Sequence, residues 1–152
     1  MSKMSEAAKA RAVGINHVAL EVRDIDEALA FYGQFLEFSL RGRSDTMAFI
    51  DLGDQFIALS AVPEVTDDHE RHFGLVVNDK GLLGRRLKEM DIEIVSDRFM
   101  DFYDPWGNRI EIVGYDNIQF SKTDGVLRGM ALSVLQKNEK AKQELADEGM
   151  AP

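Results

Sequence analysis

Three side chains able to hold a cation stand at related places in this sequence. His17 opens the run His17-Val-Ala-Leu-Glu-Val-Arg-Asp24, and His72 opens His72-Phe-Gly-Leu-Val-Val-Asn-Asp79, an offset of 55 residues. Aligning the last strand of each half sets Phe56-Ile57-Ala58-Leu59 against Arg109-Ile110-Glu111-Ile112, so Glu111 is the counterpart of Ala58. Imidazole and carboxylate are both ligands for divalent metals. The plain alternative for each histidine is a buried, hydrogen-bonded strand residue. Strand alternation puts Ala19 and Glu21 on the His17 face. Glu21 is therefore expected in the cleft, binding a cationic or hydroxylated substrate group, acting as a base, or pairing with Arg109. Asp101 lies ten residues before Glu111 and either lines the same cleft as a weaker catalytic candidate or is a solvated edge residue. Phe49, Asp51, Phe56 and Tyr103 offer walls or simple core, and His69 reads as a loop residue.

The elements that must position these groups repeat with them. After Asp24, Ile25, Ala28, Leu29, Tyr32, Phe35 and Leu36 recur at helical spacing, with Asp24 and Glu27 spaced like a capping box. After Asp79, Leu83, Leu87 and Met90 make a second stripe, with Asn78 or Asp79 as cap. Three short strands are expected after each helix: Phe38–Gly42, Thr46–Leu52 and Gln55–Ala61, then Ile92–Ser96, Phe99–Tyr103 and Asn108–Tyr115. Gly53-Asp54 and Asp104-Pro105-Trp106-Gly107 supply turns. Each copy is a βαβββ module. A sheet with one helix on one face leaves its other face bare, so two modules are expected to curl their sheets around a shared cleft, an α+β fold. The boundaries are an N-terminal tail over 1–13, a paired-module domain over 14–116 (modules 14–62 and 70–116), and a helical extension over 117–152. In that extension Val126, Leu127, Met130 and Val134 form one stripe, and a second helix runs from Asn138 to Glu148, stopped by Gly149. It is expected to pack on the body or on a partner subunit.

Composition narrows the function. The 152 residues carry 18 Lys plus Arg against 27 Asp plus Glu, a net charge of −9. The first 13 residues sum to +2 and residues 121–152 to zero, which leaves −11 on residues 14–120. That surplus argues against nucleic acid as partner, because neutralising phosphates takes excess Lys and Arg. It favours an acidic cleft that holds a divalent cation. The absence of cysteine excludes disulfides, zinc–thiolate clusters and a thiol nucleophile. No apolar run approaches the roughly 18 residues of a membrane span, and the first thirteen residues lack the apolar core of a secretory signal. A soluble, cytoplasmic domain is expected.

These residues carry a family resemblance. Ile15-Asn16-His17-Val18-Ala19-Leu20, Ala30-Phe31-Tyr32 with Leu36-Glu37-Phe38, and Asp104-Pro105-Trp106-Gly107-Asn108-Arg109-Ile110-Glu111 resemble the vicinal oxygen chelate superfamily across residues 14–116. That group includes glyoxalase I, methylmalonyl-CoA epimerase, extradiol dioxygenases, fosfomycin-resistance transferases and bleomycin-resistance proteins. Glu37 departs from a usual glycine and Trp106 from a small or acidic turn residue. The resemblance implies that His17, His72 and Glu111 are metal ligands, and Ala58 falls where glyoxalase-type members carry a fourth. Such an open set favours Fe(II) or Mn(II), with Zn(II), Ni(II) and Co(II) also suitable. The implied activity is a metal-dependent enzyme acting on a small molecule whose neighbouring oxygens chelate the ion, tilted slightly toward oxygenase chemistry. The alternatives are a lyase or isomerase of glyoxalase or epimerase type, or a non-catalytic binder of bleomycin-resistance type. A homodimer with a small-molecule substrate is implied, without nucleic acid or membrane partners.

Overall fold

The computed structural model describes residues 15, 17–69, 71–96 and 98–151; the N-terminal tail over 1–13 lies outside them. The first module runs β1 (His17–Val22), α1 (Ile25–Tyr32), β2 (Leu40–Arg43), β3 (Met47–Asp51) and β4 (Phe56–Ala61). Its sheet has the order β1-β4-β3-β2, with β1 parallel to β4 and the other pairs antiparallel. The second runs β5 (Phe73–Val77), α2 (Lys80–Glu89), β6 (Met100–Tyr103) and β7 (Arg109–Gly114), in the order β5-β7-β6. Both helices start where a carboxylate satisfies an otherwise unpaired amide. Asp24 Oδ1 accepts from Glu27 N at 2.8 Å, and Asp79 Oδ1, rather than Asn78, accepts from Leu82 N at 2.9 Å.

The second sheet has three strands, not the four expected. Ile92–Ser96 forms no strand: Val95 N donates to Asp101 O at 2.9 Å, but the pairing does not extend into a ladder. The alternation that suggests a strand there has no face to serve, because Ile94 and Val95 are both exposed.

Burial alternates along β1, β3 and β7 and assigns the two faces. Leu20 and Val22 on β1, Ile50 on β3, Ile57 and Leu59 on β4, and Ile110 and Ile112 on β7 enter one core shared by both modules. The end of α1 and the turn after it reach across: the Phe35 ring meets Phe102 edge-on at 5.6 Å, and Phe31 meets Trp106 at 6.2 Å. His17, Ala19 and Glu21 lie on the opposite, exposed side of β1.

A polar clamp joins the modules. Tyr32 Oη donates to Asp104 Oδ2 at 2.7 Å, and Asp104 Oδ1 accepts from Trp106 N and Asn108 N, both at 2.9 Å. Asn108 Nδ2 donates to Asp104 Oδ2 at 2.7 Å and to Glu21 O at 2.8 Å. The turn motif near residue 104 is thus a bracket between β1, α1 and β7. Gly107 is required there: its φ is +83°, and a Cβ would lie 2.2 Å from Asp67 Oδ1.

The C-terminal extension packs on the body as α3 (Asp124–Gly129) and α4 (Glu139–Asp147). Val134 leaves the expected stripe. Helix α3 ends at Gly129 with Met130 as its C-cap, Ala131 turns to a φ of +58°, and Val134 is 91% exposed. Helix α4 keeps its expected limits, capped by the Asn138 side chain on Ala141 N and followed by Gly149 at φ +72°. Lys137 Nζ donates to Tyr115 O at 2.6 Å and lies 3.5 Å from the Tyr115 ring centre, while Asn138 N donates to Asp116 O at 2.7 Å. Burial pulls the Lys137 ammonium below its ordinary pKa, partly opposed by Asp116.

No helix among the described residues is long and apolar enough to cross a membrane.

Candidate functional site

His72 immediately precedes β5, and Glu111 lies on β7 beside it, where Gly74 pairs with Glu111. This places His72 Nε2 3.4 Å from Glu111 Oε2. Two donor atoms each about 2.1 Å from one ion are separated by about 3.0–3.4 Å when they occupy adjacent coordination positions, so this pair fits two neighbouring ligands.

His17 arrives from the other sheet. It pairs in register with Phe56 on β4, and the two rings stack with centres 4.8 Å apart and planes 10° from parallel. Phe49 meets Phe56 edge-on at 5.7 Å, and the Arg41 guanidinium lies 5.1 Å from the Phe56 ring centre. Phe56 thus lines the cavity beside His17, while Phe49 packs against Phe56 and is not among the lining residues. Arg41 also donates through Nε to Asp51 Oδ1 at 2.7 Å. That bond holds the Asp51 carboxyl below its ordinary pKa, against a smaller opposing effect of burial.

His17 and His72 border one cavity of about 620 Å³, lined between the β1 and β5 edges. Among the described residues, no three His, Asp or Glu side chains are gathered closely enough to hold a metal ion. The structure therefore joins His72 to Glu111 and brings His17 to the same cavity, but does not close the three into one cluster within a chain.

Asp101 is not the solvated edge residue that its strand position suggested. It is 3% exposed, because Arg109 covers it. Arg109 Nε donates to Asp101 Oδ2 at 2.8 Å, and its Nη1 donates to His69 O at 2.7 Å. Asp101 pairs in register with Glu111, and its Oδ1 accepts no hydrogen bond among the described residues. The Arg109 partner weighed for Glu21 is thus taken by Asp101. Glu21 keeps an exposed position on the His17 face. His69 sits in the loop, as its place before the strand suggested, and contributes its carbonyl.

Sequence reasoning missed much of the cavity lining. Ile15, Gln55, Phe120, Lys122, Leu132 and Leu135 all reach it. The signal available for the last four was only that an extension with apolar residues must cover something; which surface it covers depends on the path of the chain after Gly114.

A family model described as the Glyoxalase/Bleomycin resistance protein/Dioxygenase superfamily matches residues 14–112. The glutathione transferase FosA of Serratia marcescens is 26% identical over 110 residues, covering 64% of this chain and 78% of that protein. Among solved structures, the fosfomycin resistance protein FosX of Listeria monocytogenes is 16% identical with a TM-score of 0.56, covering 68% of this chain and 94% of FosX. The lactoylglutathione lyase of Agrobacterium tumefaciens is 20% identical with a TM-score of 0.55, covering 70% of this chain and 96% of the lyase. One FosX structure is a complex with Mn(II) and sulfate.

Proposed function

The chain belongs to the glyoxalase/bleomycin resistance protein/dioxygenase superfamily, and on that premise we propose that it is a divalent-metal-dependent enzyme acting on a small molecule with neighbouring oxygens. The observation that carries the reading is the His72–Glu111 pair, 3.4 Å apart, whose histidine borders the cavity that His17 also borders. His72 and Glu111 hold the ion from one chain. His17 completes the set from a second copy in a homodimer, which agrees with the exposed His17 face of β1 and with the absence of a three-ligand cluster among the described residues of one chain.

An ion held by His72, Glu111 and the second copy's His17 would supply Lewis acidity toward negative charge on a substrate oxygen. Two imidazoles and one carboxylate leave positions open for substrate and suit Fe(II) or Mn(II), and the open set favours oxygenase chemistry over a lyase or isomerase. The protein residues then divide the remaining work. Phe56 fixes the His17 ring by stacking. Asp101 orients Arg109 and is a positioning residue, since its carboxylate is buried beneath that guanidinium. Glu21, exposed on the His17 face, is the carboxylate available to take a substrate proton.

The test is metal content together with subunit complementation. The parent, loaded anaerobically with Fe(II) or Mn(II), is expected to retain near-stoichiometric metal, and His17→Ala and Glu111→Ala each to lose it. Mixed dimers of those two variants, formed by unfolding and refolding together, are expected to recover close to one competent site per heterodimer. No retained metal in the parent overturns the enzyme reading. Retention by the parent without recovery in the mixture overturns the shared site alone.

A further inference from the structure

Most of the cavity wall is apolar, and much of it comes from beyond the segment that defines the family. The family match ends at residue 112, whereas Phe120, Leu127, Met130, Leu132 and Leu135 line the cavity from the C-terminal extension. They face Leu52, Phe56 and Phe73 of the two modules. The imidazoles of His17 and His72 border this apolar space.

The extension is anchored at several points. Gly53 has φ +95°, and a Cβ there would lie 2.6 Å from Met130 Sδ and 3.1 Å from Val126 Cγ1. A side chain at residue 53 would strain the backbone and displace Met130, so the glycine lets the β3–β4 turn and α3 pack closely. Lys122 Nζ pairs with Asp54 in the same turn. Beyond α3, Leu132 N donates to Leu127 O at 2.8 Å and Leu135 N to Leu132 O at 3.0 Å, a tight coil that turns both leucines toward the cavity. Both remain only half-buried, which leaves apolar surface for an occupant to cover. A volume of about 620 Å³ lies within the roughly 300–1,000 Å³ of small-molecule sites.

We propose that the C-terminal extension is the specificity wall of the site, selecting substrates with an extended alkyl or aryl body whose oxygen-bearing end is directed at His72. The assignment rests on the enzyme reading above for the role of that oxygen-bearing end, but not for the apolar body. Such a ligand buries its hydrocarbon against Leu132 and Leu135, and each added methylene strengthens binding until the cavity is full.

The experiment is calorimetric titration of the full chain, metal-free and Mn(II)-loaded, with straight-chain 2-hydroxyalkanoates of four to ten carbons. Affinity is expected to rise about fourfold per methylene and then level off, with the same slope in both forms. The Leu132→Ser/Leu135→Ser double variant is expected to flatten that slope, and Val134→Ser, at an exposed position, to leave it unchanged. Leu135→Trp fills the cavity and is expected to shorten the longest chain accepted, which keeps the test decisive if the double variant does not fold. Affinity independent of chain length overturns the proposal, as does a parent slope retained in the double variant. Absence of saturable binding, the result expected if a second copy of the chain fills the cavity, overturns it too. A slope that persists while Mn(II) adds nothing to affinity would count against the enzyme reading and leave the specificity wall standing.

Discussion

Replacing Tyr32 with phenylalanine tests the clamp that joins the two modules. Tyr32 is fully buried and donates to Asp104 Oδ2 at 2.7 Å. The substitution removes one hydroxyl and little volume, so the change reports mainly on that hydrogen bond. Asp104 keeps three other donors: the amides of Trp106 and Asn108 and the Asn108 side chain. No acceptor is left bare, which holds the expected cost to about 2 kcal/mol for a bond to a charged group. In a chain of this size that is a fall in Tm of about 4–8 °C. Asp104→Asn costs more, about 3 kcal/mol or above, because an amide presents one acceptor oxygen where the carboxylate presents two, and it turns a donor toward the Asn108 amide.

Urea titration followed by far-UV circular dichroism measures both variants. A Tyr32→Phe protein within 0.5 kcal/mol of the parent, on the order of an ordinary surface substitution, would refute the clamp. The same pair predicts a pH signature. Burial, partly offset by hydrogen bonds from Asn108 and Tyr32, raises the Asp104 pKa above its ordinary 3.8. A raised folded-state pKa means that this contribution is fully present below 3.8 and is lost as pH rises through the folded value. The stability gap between parent and Asp104→Asn is therefore expected to narrow as pH climbs from about 3.5 toward neutrality.

The same geometry gives three further expected outcomes. Arg109→Met leaves the Asp101 carboxylate, 3% exposed, without its cation and is expected to cost about 3–5 kcal/mol by thermal denaturation, whereas Arg109→Met with Asp101→Leu recovers part of the loss. Gly53→Ala meets both a φ of +95° and Met130 Sδ, and is expected to destabilise by about 1–3 kcal/mol and to raise proteolysis within residues 120–135. Asp51, held below its ordinary pKa chiefly by Arg41, contributes stability above 3.8 that is lost as pH falls through its lowered value. Asp51→Asn should flatten that acid limb in urea midpoints measured from pH 5 to 2.

How far the site could be read from the chain differs residue by residue. The internal repeat placed His17 and His72 at equivalent strand starts and Glu111 one strand away, because equivalent modules put equivalent positions in equivalent places. The Asp104–Asn108 turn was readable as a turn, but not as a bracket: its hydrogen bonds run to Tyr32 and to the Glu21 carbonyl, 72 and 87 residues distant in sequence. Asp101 looked like an edge residue because β6 lies at the edge of its sheet; only the side chain of Arg109, from the neighbouring strand, buries it. Ile92–Ser96 reads as a strand by alternation, but pairing needs a face to bury, and Ile94 and Val95 have none.

The sequence alone determined the features that local pattern and repetition dictate: two repeated modules that each open strand–helix, their capped helices, the turn glycines, the metal-competent residue types, and an acidic body between near-neutral tails. These depend on backbone preferences and periodicity, which act over a few residues. Tertiary structure decided everything that depends on which surfaces meet. It directed the apolar faces of both sheets into one shared core and left the His17 face of β1 exposed. It set His72 against Glu111, and laid residues 120–135 along the cavity between the modules. Those outcomes arise from long-range packing, where the free energy of burying one surface depends on what else could cover it.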